Sequence, residues 1–151
     1  MIVRVYQAAD AQALARLFYE TVHSVTDYTE AQKNAWAPQI PDDDSWNNMF
    51  QTSCTLVAEE KGQILGFGNM DKSGYLDLLY VHPACQRRGI ATAICDGLEK
   101  ASKAPVFTTH ASITARPFFE NRGYRVIKEQ QVERKGIWLT NFIMKKETGE
   151  L

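Results

Sequence analysis

The sequence predicts a mixed α/β fold built on a mostly antiparallel sheet that is flanked by helices. Three strand-like runs, Cys54–Glu60, Gln63–Met70 and residues 75–82, follow one another through short connections that contain glycine, as in an antiparallel meander. After Pro83 the hydrophobic period changes from two to 3.6, which is typical of an amphipathic helix. A strand over residues 106–110 follows, so this helix should connect two strands that are parallel neighbours.

Candidate helix caps precede the meander. Asp10 is a candidate N-cap, Thr29 begins the capping-box sequence Thr-Glu-Ala-Gln, and the aspartates that begin at Asp42 can cap a further helix. Pro38 should end the second of these helices. The elements predicted for this part are a strand over residues 2–6 and helices over residues 11–22, 30–37 and 45–50.

The last part of the chain continues the alternation of helix and strand. Thr114 is a candidate N-cap that would place Pro117 in the first helical turn, where its missing N–H costs least. Gly123 is positioned as the stop of the same helix. The elements predicted here are a helix over residues 115–122 and strands over residues 124–128 and 137–145.

Composition limits the classes of protein and partner. We expect a single domain over the 151 residues. With 17 basic and 18 acidic side chains, no excess of positive charge points to a nucleic acid or a membrane surface as the partner. The absence of a signal-like or membrane-spanning apolar run favours the cytoplasm. Three cysteines without ligand spacing indicate free thiols and no metal site. The oligomeric state is left open, with a homodimer among the options.

Most of the recognisable chemistry lies between Leu79 and Thr92. A strand leads through a tight loop into the amphipathic helix, whose first N–H groups lack internal partners and carry the positive end of the helix dipole. Gly89 has no side chain, so phosphate oxygens could approach the backbone closely, and Arg87 and Arg88 add donors. The pattern predicts a pyrophosphate cradle, although a basic loop in which the glycine only relieves strain explains it equally well.

These residues resemble a known family. The sequence Gln-x-x-Gly-x-Ala at residues 86–91 is similar to the Gln/Arg-x-x-Gly-x-Gly/Ala signature of the GCN5-related N-acetyltransferases, and residues 79–83 resemble the strand that precedes it. The sequence Ser-x-x-Ala-x-x-Phe-Phe-x-x-x-Gly-Tyr at residues 112–124 is similar to the family's second motif. Residues 17–38 also resemble a bacterial subgroup of acetyltransferases.

The resemblance implies an acyl-CoA N-acyltransferase fold, in which the sheet is splayed between two parallel central strands. It implies acetyl-CoA as cosubstrate, and a small-molecule or peptide amine as the acceptor that attacks the thioester directly. Backbone groups of Leu79 and Val81 would pair with the pantetheine arm, and the Val81 N–H would stabilise the oxyanion of the reaction. The cofactor-binding residues that the resemblance implies are Leu79, Tyr80, Val81, Gln86, Arg87, Arg88, Gly89, Ile90, Ala91, Thr92 and Ser112.

Two positions depart from the family pattern. Phe119 stands where many members carry a tyrosine that is thought to protonate the departing thiolate, and a phenyl ring cannot donate a proton. Tyr75 stands where many relatives have a glutamate as general base, and a phenol is a poor base at neutral pH. The proton-transfer roles therefore need other residues.

Two side chains are candidate bases. Residues 75, 77 and 79 share a face by the two-residue period of a strand, so Asp77 could point at the acetyl group. His110 ends its strand, and histidine is the residue type best suited to accepting a proton near neutrality. A carboxylate held by a neighbouring N–H or arginine, and a half-exposed strand-end histidine, account for the same residues. The catalytic candidates, including substitutes for the missing tyrosine, are Asp77, His110, Ser112 and Tyr124.

The acceptor pocket is expected between the first helix and the second strand. Aromatic residues there supply flat apolar surface and acidic residues supply negative charge, a mixture that suits a cationic amine with an apolar portion. Such aromatics are more often core residues, and such acidic runs are more often solvated caps. The predicted substrate-binding residues are Tyr28, Trp36, Trp46 and Tyr75.

Two other functions are weighed against acetyl transfer. A non-catalytic acyl-CoA-binding sensor or interaction module is kept open by the tyrosine and glutamate missing at positions 119 and 75. An unrelated nucleotide-binding enzyme is disfavoured because neither Gly-x-x-x-x-Gly-Lys-Ser/Thr nor Gly-x-Gly-x-x-Gly occurs.

Overall fold

The computed structural model describes residues 1–148, which form seven strands and five helices. Among these residues, no helix combines the length and the apolar character needed to cross a membrane. The strands are β1 (Ile2–Val5), β2 (Cys54–Glu60), β3 (Gln63–Met70), β4 (Tyr75–Val81), β5 (Val106–Ser112), β6 (Arg125–Arg134) and β7 (Ile137–Glu147). The helices are α1 (Ala11–Ser24), α2 (Glu30–Trp36), α3 (Asp43–Gln51), α4 (Ile90–Ala101) and α5 (Arg116–Asn121).

All seven strands lie in one sheet, in the order β1-β2-β3-β4-β5-β7-β6. Every neighbouring pair is antiparallel except β4 and β5, which are parallel. This pair is aligned only at Tyr75 with Thr108 and at Leu76 with Thr109, and the strands then separate. The Thr109 hydroxyl donates a hydrogen bond to the Leu76 carbonyl (2.9 Å) at the last aligned pair. The mostly antiparallel sheet, splayed between two parallel central strands and flanked by helices, is therefore confirmed.

Separate hydrophobic clusters cover the two faces of the sheet. Helix α4 packs on one face through Ile90, Ile94 and Leu98, all buried. Helices α1 and α3 pack on the other, where Phe18 and Phe50 belong to the second cluster. Because the clusters hold the sheet from both sides, the gap between β4 and β5 stays open without loss of the core.

A β-bulge in β4 changes which side chains face the gap. Met70 of β3 pairs with Leu76 while the preceding Asn69 pairs with Leu78, so Asp77 is an extra residue. The Asn69 Oδ1 accepts a hydrogen bond from the Leu78 N–H (3.0 Å) and anchors the bulge. Beyond it the alternation is reversed, and Leu79 lies in the α4 cluster together with Leu76. The prediction that residues 75, 77 and 79 share a face is therefore wrong for residue 79.

The predicted helix caps were only partly correct. The capping box at Thr29 is present, and Asp42 accepts a hydrogen bond from the Ser45 N–H (3.0 Å). Asp10 stands at the N-cap position of α1 as predicted, but its side chain makes no capping hydrogen bond to that helix, because the Arg4 guanidinium holds its carboxylate (2.8 Å). The ion pair instead ties the start of α1 to the edge strand β1.

Strand β6 is longer than the predicted strand over residues 124–128. Lys135 and Gly136 both have positive φ angles (52° and 80°), the geometry of a tight hairpin turn. This turn sets the register that pairs Arg134 with Ile137 and continues the hairpin back to Arg125. The polar residues of β6 resemble a loop in sequence, but they fit an edge strand whose faces are largely exposed.

Candidate active site

The splay between β4 and β5 opens into two adjoining cavities. The first, which we call the loop cavity, has a volume of 490 Å³ and extends toward the loop before α4. The second, the strand cavity, has a volume of 240 Å³ and lies between β4, β5 and the β6–β7 hairpin. The two cavities adjoin, because several residues line both of them. The shared residues are Trp36, Leu79, Tyr80, Ser112 and Ala115.

The loop before α4 holds its backbone open for an anion. Gly89 is the N-cap of α4 with φ +77°, and a Cβ added there would meet no atom within 4 Å. The Ala93 N–H already bonds to the Gly89 carbonyl (3.0 Å), which leaves the N–H groups of residues 90–92 without intrahelical acceptors. The Gln86 side chain donates to the Val81 carbonyl (2.7 Å) and fixes the loop against the strand. This arrangement could hold an anion at the positive end of the helix dipole.

The end of β4 presents backbone groups to the gap. The His82 N–H donates to the Leu65 carbonyl (2.8 Å), so in the antiparallel ladder the backbone N–H and C=O groups of residues 80 and 82 face β3. The backbone N–H and C=O groups of Leu79 and Val81 therefore point to the opposite side, where β5 has already diverged. The Val81 carbonyl is used by Gln86. The Val81 N–H and both backbone groups of Leu79 therefore face the opening.

The two arginines of the loop take different directions. Arg87 lines the loop cavity and has a positive φ of 65°, an uncommon conformation for a residue with a side chain. Arg88 instead reaches Glu60 (2.6 Å), and its guanidinium lowers the pKa of that exposed carboxyl. The side chain of Arg87 therefore lies beside the predicted cradle, whereas the side chain of Arg88, which was predicted to add donors there, turns away from it.

Asp77 and His110, the two candidate bases, line the strand cavity together with Tyr75. The rings of Tyr75 and His110 meet edge to face with centroids 5.3 Å apart. Asp77 keeps access to solvent through the open cavity, yet the surrounding walls desolvate its carboxyl and raise its pKa. Asp71 reinforces this rise electrostatically, while His110 opposes it. A carboxylate with a raised pKa is a stronger base than an ordinary aspartate.

The side chain of Tyr124 does not reach the gap between β4 and β5, so its prediction as a catalytic residue is wrong. Its side chain is 97% buried in the α4 cluster, and its hydroxyl donates to Glu99 (3.0 Å), outside both cavities. Burial, together with the Glu99 carboxylate, raises the pKa of the phenol. Phe119, at the family's tyrosine position, is buried and lines the strand cavity. The phenyl ring therefore forms a wall of the site.

Ser112 stands where the two cavities meet. Its Oγ accepts a hydrogen bond from the Ala115 N–H (3.0 Å), in the turn that precedes α5. Thr114 instead donates to Asp27 (2.8 Å), so it is not the cap of α5. The Ser112 hydroxyl proton remains available at the junction because Oγ acts as an acceptor in that bond.

The predicted acceptor-site aromatics divide into two groups. Trp36 and Tyr28 line the strand cavity, and the Tyr28 hydroxyl bridges the Thr140 carbonyl (2.7 Å) and the Ile113 N–H (2.9 Å). Trp46 lines neither cavity, because it packs in the α1–α3 cluster with its ring 5.1 Å from that of Phe18. The prediction for Trp46 is therefore wrong, and its aromatic surface serves the core.

Sequence reasoning missed Arg134 and Asn141, which both line the strand cavity. The Asn141 Oδ1 is buried without a hydrogen-bond partner within residues 1–148. A lone amide among the apolar residues of the last strand was an available signal. Arg134 could have been located from the Lys135-Gly136 dipeptide, which is a turn signal between two strands.

None of the three cysteines lines either cavity in the described part of the chain. All three thiols are free, and burial raises the pKa of Cys95 to about 12. Within residues 1–148 no cluster of histidine, cysteine and carboxylate side chains could hold a metal ion. No cysteine is therefore positioned to attack a molecule bound in these cavities.

Comparison with known proteins agrees with the geometry. A family model described as an acetyltransferase (GNAT) domain matches residues 24–147. The chain belongs to the GNAT acetyltransferase family. YafP of Escherichia coli (strain K12), named an uncharacterized N-acetyltransferase, is 39% identical over 145 residues, covering 95% of this chain and 93% of YafP.

Solved structures share the GNAT fold over nearly the whole chain. A GCN5-related N-acetyltransferase of Rhodopseudomonas palustris has a TM-score of 0.91 and 33% identity, covering 97% of this chain and 94% of that one. YncA of Salmonella typhimurium, solved with its cofactor acetyl-CoA, has a TM-score of 0.78 at 18% identity, covering 100% and 95%. The family resemblance drawn from residues 79–124 is thereby confirmed.

Proposed function

We propose that this GNAT domain transfers the acetyl group of acetyl-CoA to an amine acceptor by direct attack. The observation that carries the proposal is the meeting of the loop cavity and the strand cavity at the splay. One cavity begins at an anion cradle, the other contains a desolvated carboxylate, and they join beside strand backbone that lacks a sheet partner.

The chain's residues fit acetyl-CoA on three points. The open N–H groups of residues 89–92 suit the pyrophosphate, with Arg87 adding charge from the cavity wall. Backbone groups of Leu79 and Val81 suit the amides of the pantetheine arm, which would continue the sheet from β4. The acetyl group would then reach the junction beside Ser112 and Tyr80, where the Val81 N–H can stabilise developing negative charge on the thioester oxygen.

Asp77 is the proposed general base, with His110 beside it. The acceptor amine forms a bond to the thioester carbonyl carbon, the carbon–sulfur bond breaks, and the proton of the amine passes to Asp77. The raised pKa of this carboxyl favours proton uptake, and its position on the bulge turns it into the strand cavity. His110 can accept the proton from the same cavity and is the second candidate.

Protonation of the departing thiolate is the less demanding half of the reaction. An ordinary thiol has a pKa of about 8.5, so its thiolate is a moderate leaving group even without an acid. The Ser112 hydroxyl, at the junction and free to donate, can hydrogen-bond the departing thiolate in place of the phenol missing at position 119, and the thiolate then takes its proton from solvent.

The experiment that tests the proposal combines two measurements. Acetyl-CoA with a panel of amines should release CoA and form N-acetyl product, with initial rates that require both substrates in one complex. Acetyl-CoA alone should leave the intact mass of the protein unchanged, because no cysteine lines the cavities. An acetylated chain would contradict direct attack.

A non-catalytic acyl-CoA sensor is the second candidate, favoured by the observation that Phe119 and Tyr75 both line the strand cavity without supplying the usual acid and base. Tight acetyl-CoA binding with no turnover of any amine would establish that function instead.

The three free thiols support a cytoplasmic location, which we propose for either function. We further propose that neither a nucleic acid nor a membrane is its partner, in line with the balanced charge.

A further inference from the structure

The geometry of the strand cavity points to a free amino acid with an apolar side chain as the acceptor, recognised by both of its charges. This inference rests on the proposed function and specifies its substrate class. Asp77 and Arg134 carry it, because they are oppositely charged residues that line the same cavity.

Neither of these side chains is neutralised by the protein. Within residues 1–148, Asp77 forms no hydrogen bond or ion pair, and Arg134 has no ion-pair partner. The one hydrogen bond of the Arg134 side chain goes to the neighbouring Glu133 carbonyl (3.0 Å). Arg125, at the other end of the same strand, is by contrast paired with Glu147 (3.6 Å). A charge pointed at a cavity without a partner is available to a ligand.

The two charges flank one group in the cavity. Burial raises the pKa of the Tyr75 phenol, Asp77 adds to this rise and Arg134 opposes it, so both charges lie within electrostatic reach of the same hydroxyl. They nevertheless form no ion pair with each other. We expect a zwitterion in this cavity to direct its ammonium group toward Asp77 and its carboxylate toward Arg134. Arginine is well suited to the carboxylate because its planar fork can donate two parallel hydrogen bonds.

Asn141 supplies an acceptor for the amine itself. It pairs with Ser112 across β5 and β7, so both side chains lie on the same face of the sheet, near the junction of the cavities. The Asn141 Oδ1 is buried without a partner in the described part of the chain. An N–H of the incoming amine would satisfy this oxygen and hold the nitrogen beside the acetyl group.

The remaining walls limit the size and character of the side chain. Trp36, Phe119 and Leu139 provide apolar surface around the cavity. A volume of 240 Å³ equals roughly eight waters at about 30 Å³ each, which suits a small acceptor. These three residues can contact an aliphatic or aromatic side chain, and Asp77 is the one carboxylate that lines the cavity within residues 1–148, which is too little negative charge for a highly charged polyamine.

The test compares amino acids with the amines obtained by removing their carboxylate. Phenylalanine is paired with phenethylamine, leucine with isopentylamine and valine with isobutylamine, and kcat/KM is measured for each with saturating acetyl-CoA. We expect the best amino acid to exceed its amine by about tenfold or more. Arg134→Gln should abolish this preference by lowering kcat/KM for the amino acid about tenfold or more beyond any change in kcat/KM for its amine. Arg134→Lys should retain part of the preference, and Arg125→Gln is the matched control that should retain all of it.

Several results would overturn the inference. Equal rates for amino acid and amine, a preference that survives Arg134→Gln, or efficient acetylation of peptide N-termini would each exclude recognition of a carboxylate by Arg134. Failure of every amino acid also overturns it, but the proposed function then stands if another amine is acetylated. Only the absence of turnover with all classes of amine removes both. Thermal unfolding of each variant verifies that the exposed Arg134 is not needed for folding.

Discussion

Gly89 offers the sharpest perturbation of the cradle. Gly89→Glu adds a side chain at φ +77°, and because nothing lies within 4 Å of the new Cβ, the fold has room for it. The left-handed backbone costs about 1–2 kcal/mol of stability for a residue with a Cβ. That cost corresponds to a fall in Tm of about 2–4 °C for each kcal/mol in a protein of this size.

The effect on acetyl-CoA should be far larger than the effect on stability. A carboxylate about 4 Å from a phosphate charge is repelled by about 4 kcal/mol at an effective dielectric of 20, which is roughly a thousandfold in Kd. Isothermal titration with acetyl-CoA measures this loss. Gly136→Glu is the matched control, because Gly136 has the same left-handed φ (+80°) and equally open surroundings but lies in the β6–β7 turn. It should lose stability and keep its affinity. A folded Gly89→Glu protein with unchanged affinity would refute the cradle.

The other predictions concern charge, proton transfer and the unpaired amide. Arg87→Ala should weaken acetyl-CoA binding, measured by isothermal titration, about ten- to hundredfold. Arg88→Ala should change the affinity only a few fold, because the Arg88 side chain is turned toward Glu60 and away from the phosphates. Asp77→Asn should lower kcat by about two to four orders of magnitude and remove the acidic limb of the pH–rate profile. In the unmodified protein this limb should lie above the ordinary range for an aspartate, because the pKa of Asp77 is raised. Full activity of both Asp77→Asn and His110→Gln from pH 6 to 9 would exclude both residues as bases. Because the pKa of Asp77 is raised in the folded state, the ionised carboxylate destabilises the fold at any pH above that pKa. In this pH range Asp77→Asn, which removes the charge, should increase the free energy of unfolding measured in urea. Asn141→Ala should lower kcat/KM without lowering the free energy of unfolding, because a buried oxygen without a hydrogen-bond partner does not stabilise the fold. A clear loss of stability would instead assign Asn141 a structural role.

The sequence was sufficient for the fold because local and long-range signals agree. The meander, the amphipathic α4 and the two motifs each predict the same topology, and the parallel pair follows from the crossover rule. The polar stretch at Glu129–Arg134 was missed because edge strands are stabilised by pairing with β7, which composition does not reveal.

The site was predicted less completely, for reasons of geometry. A one-residue bulge at Asp77 reverses the direction of Leu79, and no residue in the sequence marks it. Tyr124 is the last residue of the second motif, but the turn after α5 directs its ring into the core beside Glu99. Asn141 becomes part of the site only through its register opposite Ser112, a contact between strands distant in the chain.

The most direct test of the central claim is an experimental structure of the protein with acetyl-CoA bound. We expect the pyrophosphate on the N–H groups of residues 89–92, and the pantetheine arm in the splay, hydrogen-bonded to the backbone of Leu79 and Val81. The acetyl carbon should lie at the junction beside Ser112, facing Asp77 across the strand cavity. Acetyl-CoA bound elsewhere, or a pantetheine arm that does not enter the gap between β4 and β5, would contradict it.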